Sequence, residues 1–460
     1  MPRPATRVLL AAALLATLGH DAPSAAAQDL FSVTASGGGT TVTATDSNLL
    51  DLIGDAIETR GAFNPLVNTG FTAVARYADV QNAIRVTLNN AETEATLQFP
   101  GTGFSRTFDG SDADDLEDEI ERFFEEDGGQ VYADFLADLN RRSLISVVDG
   151  NPFSSTALAN EHLFDTWGLG GSSPRLDAAP RGGYGRAPDG GDDDLGAGYV
   201  VFDEDGGRVD VAVDRDTGTY REARQSAWFA VTPRVHVLDA AGFDGTAASL
   251  GFAGGWWFTD WIGLSVGGSV HGTDYEETAT YHSSVNLALP LRPLDTLDAD
   301  GFGVAVGVTP FVVSGIGGSI DAAAGGAFNG YGGAVNATWG LGAVQITGAA
   351  QFVDFGDQDL NYDDFEFETE LDQSAVTLGG RVRVFLDGVN GSWWVDAGLT
   401  HVEYQEDAAV PDWLRPEIGV GWRWGNHNRV RVSYRDLIAE SADGRDFDGF
   451  SLGANVVFGF

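Results

Sequence analysis

The most constraining stretch of this chain is its last one. Residues 449–460 read Gly-Phe-Ser-Leu-Gly-Ala-Asn-Val-Val-Phe-Gly-Phe. Phe450, Leu452, Ala454, Val456, Phe458 and Phe460 fall on one face of an extended strand, with Ser451, Gly453, Asn455 and Gly459 on the other. Only Val457 breaks the pattern. A period of two with one wholly apolar face describes a strand lying between two different media.

The same alternation recurs upstream. Twelve segments approach the length of a tilted spanning strand: 226–238, 246–258, 262–272, 278–289, 301–313, 329–340, 342–353, 374–387, 392–404, 414–424, 428–435 and 449–460. Apolar faces can be read directly. Leu250, Phe252, Trp256 and Phe258 form one, and Leu414, Ile418, Val420, Trp422 and Trp424 another. The opposite faces carry mostly Gly, Ser, Thr, Asn, Gln and Arg. Alternation alone also fits a soluble sandwich, which buries its apolar faces. Two further patterns favour a membrane. Short turns at 259–261, 341, 388–391 and 425–427 interleave with longer connections at 239–245, 273–277, 314–328, 354–373, 405–413 and 436–448; the segment 290–300 is longer than this rule expects. In addition, Trp256, Trp257, Trp261, Trp339, Trp393, Trp394, Trp422, Trp424, Phe458 and Phe460 cluster beside the short turns, as an interfacial girdle would. Tyr275, Tyr281, Tyr404 and Trp413 lie toward the other side.

With its terminal aromatic, its alternating strands and its alternating loops, the C-terminal half resembles bacterial outer-membrane β-barrels as a class. The resemblance implies an antiparallel transmembrane barrel of about 12 strands (10–14) at residues 226–460. It also implies contact with outer-membrane lipid, insertion by barrel assembly machinery through the C-terminal strand, and both barrel ends in the periplasm.

The rest of the chain fits that setting. Arg3 and Arg7, the apolar run Val8–Leu18 and Ala25-Ala26-Ala27 predict a signal peptide over 1–27. No segment approaches the roughly 20 apolar residues a membrane helix needs. There is no cysteine, which excludes disulfides and thiolate metal sites. Lys is absent and the net charge is −42, which argues against nucleic acid as a partner.

Residues 28–169 read as a small α+β domain, expected in the periplasm. Strands are predicted at Phe31–Thr34, Thr40–Thr45, Phe71–Tyr77, Ala83–Leu88, Ala95–Phe99 and Phe104–Phe108. Helices are predicted over Asn48–Thr59, from Ser111, whose hydroxyl would cap it, and around Val131, Phe135, Leu136 and Leu139. The acids between Asp109 and Asp127 are a solvated helix face or a cation site. Residues 170–225 form a Gly/Pro/Asp-rich linker with a hairpin at Tyr199–Asp203 and Val209–Val213.

Three constellations bear on function. Fixing the pleat by the apolar faces turns Arg234, Arg381, Arg383, Arg415, Arg423, Arg429, Arg431 and Arg435 into the lumen, against fewer inward acids, chiefly Asp396 and Glu417. Either these arginines are a track for anions, or they are paired with those acids and with acids from a plug or the α+β domain. The loop Asp357, Asp359, Asn361, Asp363 and Glu368 echoes a calcium loop, but Tyr362 stands where the turn needs glycine. Finally, His282 two residues before Ser284 resembles the outer-membrane phospholipase and lipid A deacylase types. In those the pair faces lipid, whereas here both point inward and no acid orients them. The expected function is porin-like passage of small anionic solutes, with no catalytic residue and no cofactor beyond that calcium candidate. The alternatives are a plugged barrel anchoring the α+β domain and, third, a lipid-modifying enzyme. Oligomeric state is not legible.

Overall fold

The computed structural model describes residues 31–46, Leu66, most of 70–169, three strands between 199 and 222, and most of 227–459. The expected signal peptide, the expected helix at Asn48–Thr59 and most of the expected linker lie outside the described residues.

Six antiparallel strands form the N-terminal sheet: β1 (Phe31–Gly37), β2 (Thr40–Asp46), β3 (Phe71–Tyr77), β4 (Val80–Leu88), β5 (Glu94–Phe99) and β6 (Phe104–Asp109), in the order β2-β1-β3-β4-β5-β6. One face is covered by α1 (Ala113–Glu126) and α2 (Gly129–Arg142). Phe99 packs on Phe135 and Leu139, and Phe108 on Leu116 and Phe123, burying the apolar stripe of each helix. The cap of α1 differs from expectation by one residue. Asp112, not Ser111, accepts the Asp115 amide (3.1 Å), and Asp115 in turn accepts the Ser111 amide (2.8 Å). This reciprocal pair satisfies two amides at the positive end of the helix.

After α2 the chain forms α3 (Ser155–Leu163), capped by Ser154, and one π-helical turn, Phe164–Gly168. A separate three-stranded sheet follows: β7 (Tyr199–Phe202), β8 (Arg208–Asp214) and β9 (Thr219–Glu222). It contains the expected hairpin plus one strand and does not pair with the barrel.

The C-terminal half is a closed antiparallel barrel of twelve strands. They are β10 (Ala227–Ala240), β11 (Phe243–Trp257), β12 (Gly263–Tyr275), β13 (Thr278–Ala288) extended by β14 (Leu291–Asp295), β15 (Phe302–Ser319), β16 (Ala324–Leu341), β17 (Val344–Asp357), β20 (Asp372–Phe385), β21 (Trp393–Tyr404), β22 (Asp412–Trp424), β23 (Asn428–Glu440) and β24 (Asp446–Gly459). A short hairpin, β18 (Leu360–Tyr362) and β19 (Phe365–Phe367), interrupts the connection from β17 to β20. Pairing of β10 with β24, from Trp228↔Gly459 to Ala240↔Phe447, closes the ring and leaves no edge.

The outer wall settles the choice between sandwich and membrane barrel. Leu250, Val266, Tyr281, Val312, Tyr331, Leu378, Leu399, Ile418, Val432 and Phe450 are exposed, as are apolar neighbours on every strand. A soluble fold would bury such a belt. Among the described residues no helix is long and apolar enough to cross a membrane, so the spanning is done by strands.

Several expectations change in detail. The long segment 290–300 contains a strand: β14 continues the ladder with β15 past a break at Pro290. The connections after β10 and β12 are tight, because these ladders run on to Ala240↔Phe243 and Tyr275↔Thr278. Pairing satisfies backbone groups in water as in lipid, so ladders outlast the apolar belt. Trp256 and Trp393 face outward, but their neighbours Trp257 and Trp394 are buried inward, since successive residues of a strand point oppositely. Of the aromatics on the far side, Tyr281 is exposed, whereas Tyr275, Tyr404 and Trp413 are buried.

Candidate functional site: a helix clamped in the barrel lumen

The mouth holding Ala227 and Gly459, where the barrel begins and ends, is here called the near mouth. The other, formed by the ends of β10–β11, β21–β22 and β23–β24, is the far mouth. The N-terminal unit meets the far mouth. Helix α2 contacts β19, and the Val410 amide donates to the carbonyl of Gly150 (2.9 Å). Phe153 stacks on Phe447 and meets His236 edge-on. Phe243, Tyr275, Phe328, Phe355, Tyr404 and Trp413, all buried, belong to the same apolar cluster. From there α3 descends through the lumen. At its lower end the Trp167 ring packs edge-on against Trp228 near the near mouth. Val457, the residue that breaks the alternation of the last strand, faces inward in the same cluster.

The helix touches wall strands around the ring. Ser155 Oγ lies 2.7 Å from His282 Nδ1 on β13, and Thr280 Oγ1 lies 3.1 Å from the other ring nitrogen. Asn160 Nδ2 donates to Thr377 Oγ1 (2.9 Å), and Gln351 Nε2 donates to Asn160 Oδ1 (2.7 Å). Asn336 Nδ2 donates to the Trp167 carbonyl (2.7 Å). The helix fits because glycines line its path. A Cβ on Gly379 would sit 2.8 Å from the Phe164 ring, one on Gly251 2.8 Å from His162, and one on Gly317 would collide with Ser155. Such contacts lie inside normal packing distances.

Charge dominates the middle of the lumen. Glu161 is bonded to Arg234, to Arg415 at 2.8 Å and to Arg435 at 2.5 Å. Asp165, one helical turn on, is bonded to Arg435 at 2.9 Å and Arg234 at 3.1 Å. Residues four apart lie on one helix face, so both carboxylates meet the same wall. A second cluster belongs to the wall alone. Asp396, whose side chain is wholly buried, is bonded to Arg431 at 2.6 Å, with Arg383 at 3.8 Å. Glu417 is bonded to Arg431 at 2.8 Å and Arg381 at 3.1 Å, and reaches Arg435 at 3.2 Å. Arg435 thereby joins the two clusters.

All eight arginines read from sequence lie on the inner side, and seven of them are buried. Arg423 is half-buried, lies opposite Arg429 across the β22–β23 ladder and sits over the Phe385 ring at 5.7 Å. What sequence reading missed is the partner: residues 155–168 pass as the tail of the N-terminal domain. One signal was available: the polar residues of α3 recur all round, leaving no clean apolar stripe, and the structure buries every one of its residues but His162. A helix polar on all sides yet followed by aromatics needs a polar container. A cavity between helix and wall, lined by His162, His236, His271, Ser249 and Ser269, has a volume of about 30 Å³. That admits water and no larger solute.

The other candidates are placed as follows. His282 and Ser284 both face inward and are buried, but they bond to different groups: His282 to Ser155 and Thr280, Ser284 to Ser269 (2.8 Å). Asp357 ends β17, and Asn361 sits extended in β18 opposite Glu366. Asp359, Asp363 and Glu368 lie outside the described residues.

No family model and no curated protein matches the sequence. Solved structures do resemble the barrel. The translocator domain of the autotransporter NalP from Neisseria meningitidis is 11% identical, covers 52% of this chain and 89% of that one, and superposes with a TM-score of 0.34. The β domain of the Bordetella autotransporter BrkA is 11% identical over 52% of this chain and 100% of that one, TM-score 0.37. The KdgM porin is 9% identical over 49% and 97%, TM-score 0.28. The closed twelve-stranded ring and its lipid-facing belt make this protein an outer-membrane β-barrel, with a smaller β-sheet domain preceding the barrel.

Proposed function

We propose that the barrel is a sealed anchor that presents the N-terminal α+β unit at the outer face of the membrane. The observation that carries this reading is the path of the chain: it meets the far mouth at Gly150, threads the lumen as α3 and leaves beside the near mouth. Outer-membrane barrels keep both strand ends on the periplasmic side, which makes the far mouth the outer one in this reading. This reading replaces the periplasmic position expected from sequence for the N-terminal unit. The arginines then act as the clamp on the helix, not as a solute track.

The chain has no cysteine, so single-cysteine labelling gives a clean test. In intact cells, Thr87→Cys should react with a membrane-impermeant maleimide, and Ser392→Cys, in a near-mouth turn, should react only after the outer membrane is opened. The reverse pattern would overturn the reading. In planar bilayers the wild-type protein should show conductance near zero.

A second reading is supported by the charge balance of the described wall: the eight arginines read from sequence, besides Arg292 with its partner Asp295, outnumber the buried acids Asp396 and Glu417. With the helix withdrawn, the nearest charges in a narrow low-dielectric pore are positive. The barrel would then pass small anions. If so, a variant whose helix is released should prefer chloride over potassium. A released pore preferring potassium would end this second reading and leave the first intact.

A further inference from the structure

The face of the N-terminal sheet opposite α1 and α2 is covered by no described element, and its chemistry is unlike the rest of the chain. One row of side chains crosses all six strands: Thr41, Ser36, Thr72, Thr87, Thr96 and Thr107, each in register with the next. Beside it run Thr43, Thr34, Val74, Arg85, Gln98 and Ser105. In a protein with 68 acidic residues, the carboxylates on this face are Glu94 and Asp109, paired at one end. Arg76 and Arg85 balance them.

The hydroxyls of the row are organised in pairs: Ser36 with Thr41 (2.9 Å), Thr72 with Thr87 (3.3 Å) and Thr96 with Thr107 (3.0 Å). A hydroxyl has one donor and two acceptor sites. Each bonded pair therefore presents one remaining donor and several acceptors outward. Strands stand about 4.8 Å apart, so the row is roughly 24 Å long, with a donor–acceptor group about every 10 Å. A ligand made of hydroxyls, which both donate and accept, matches this row; a chain bearing a carboxylate on each residue, a group that only accepts and carries charge, matches it less well. A six-stranded sheet also twists by about 20° per strand. The row is thus a curved track, suited to one flexible chain and not to a flat crystal plane. No aromatic side chain lies on the face, so recognition runs through hydrogen bonds and threonine methyls.

We infer that this threonine row is a binding track for a single chain of a neutral polysaccharide. The inference rests on the display reading only for which way the track faces in the cell; binding itself is a property of the purified chain. The test uses the full chain in a sugar-free detergent, titrated calorimetrically with a soluble neutral β-glucan hexasaccharide and, separately, with polygalacturonate. Saturable binding of the glucan is expected, weakened roughly tenfold or more in Thr72→Val/Thr87→Val/Thr96→Val, since each lost hydrogen bond is worth about 1 kcal/mol. Valine keeps the shape and strand preference of threonine, and unchanged resistance of the N-terminal unit to limited proteolysis would confirm its fold. No saturable binding, binding unmoved by the triple change, or binding of polygalacturonate alone would overturn the inference. Glucan binding by purified protein but by cells only after permeabilisation would support the track and overturn the display reading.

Discussion

Two charge clusters share one lumen and differ in what they join. The lower pair of acids, Asp396 and Glu417, neutralises Arg381, Arg383 and Arg431, all supplied by β20–β23 of the wall. The other pair, Glu161 and Asp165, comes from the helix and holds Arg234, Arg415 and Arg435 on β10, β22 and β23. The first cluster is complete within the barrel. The second is complete only when the helix is home. Buried pairs of this kind add little net stability compared with apolar packing, but breaking one leaves a charge stranded. The wall cluster is therefore a brace, and the helix cluster a latch whose loss is felt as loss of docking.

The largest effect that would separate them is Glu161→Gln with Asp165→Asn. It leaves Arg234 and Arg415 without their carboxylates and should weaken docking by about 3–5 kcal/mol. Conductance in planar bilayers should rise while the barrel still migrates as a folded species in cold detergent. A sealed pore in this variant would mean that packing, not charge, holds the helix. Next, Asp396→Asn should cost a similar or smaller amount, about 3 kcal/mol, but from the barrel: the heat-induced shift in migration should move to lower temperature with the pore still closed. If the pore opens instead, the two clusters are one unit, coupled through Arg435. A steric test is smaller. Gly379→Val drives a side chain into Phe164, and overpacking of this kind costs about 1–3 kcal/mol, which should open the pore in part with every charge in place. The smallest is Asn160→Ala, which removes bonds to Thr377 and Gln351. About 1–2 kcal/mol is expected, detectable as more frequent brief openings over an otherwise closed baseline.

Alternating residues made the barrel legible because lipid and lumen act on each side chain separately and locally. Val266, Val312 and Ile418 must face out, so their neighbours must face in, and parity alone carried Arg234 through Arg435 to the inner wall. The start of α1 was legible to within a residue: Asp112 caps it in place of Ser111. The inward turn of Trp257 and Trp394 was missed because both members of a Trp-Trp pair were assigned to one girdle, against the pleat. The paired ends of β10–β11 and β12–β13 were missed because they lie in water, where no apolar face marks them.

What the sequence by itself determined is thus the barrel, its strand number and which side chains line it; whether its basic wall is an open track or a paired one it left undecided. What only the tertiary structure decided is the partner. Glu161 and Asp165 lie 73 and 69 residues before Arg234, in a segment with no periodicity that names its destination. A helix enclosed by a polar wall has no apolar stripe to announce it. Its place is set by glycines on distant strands and by carboxylates that meet their arginines only once the ring has closed.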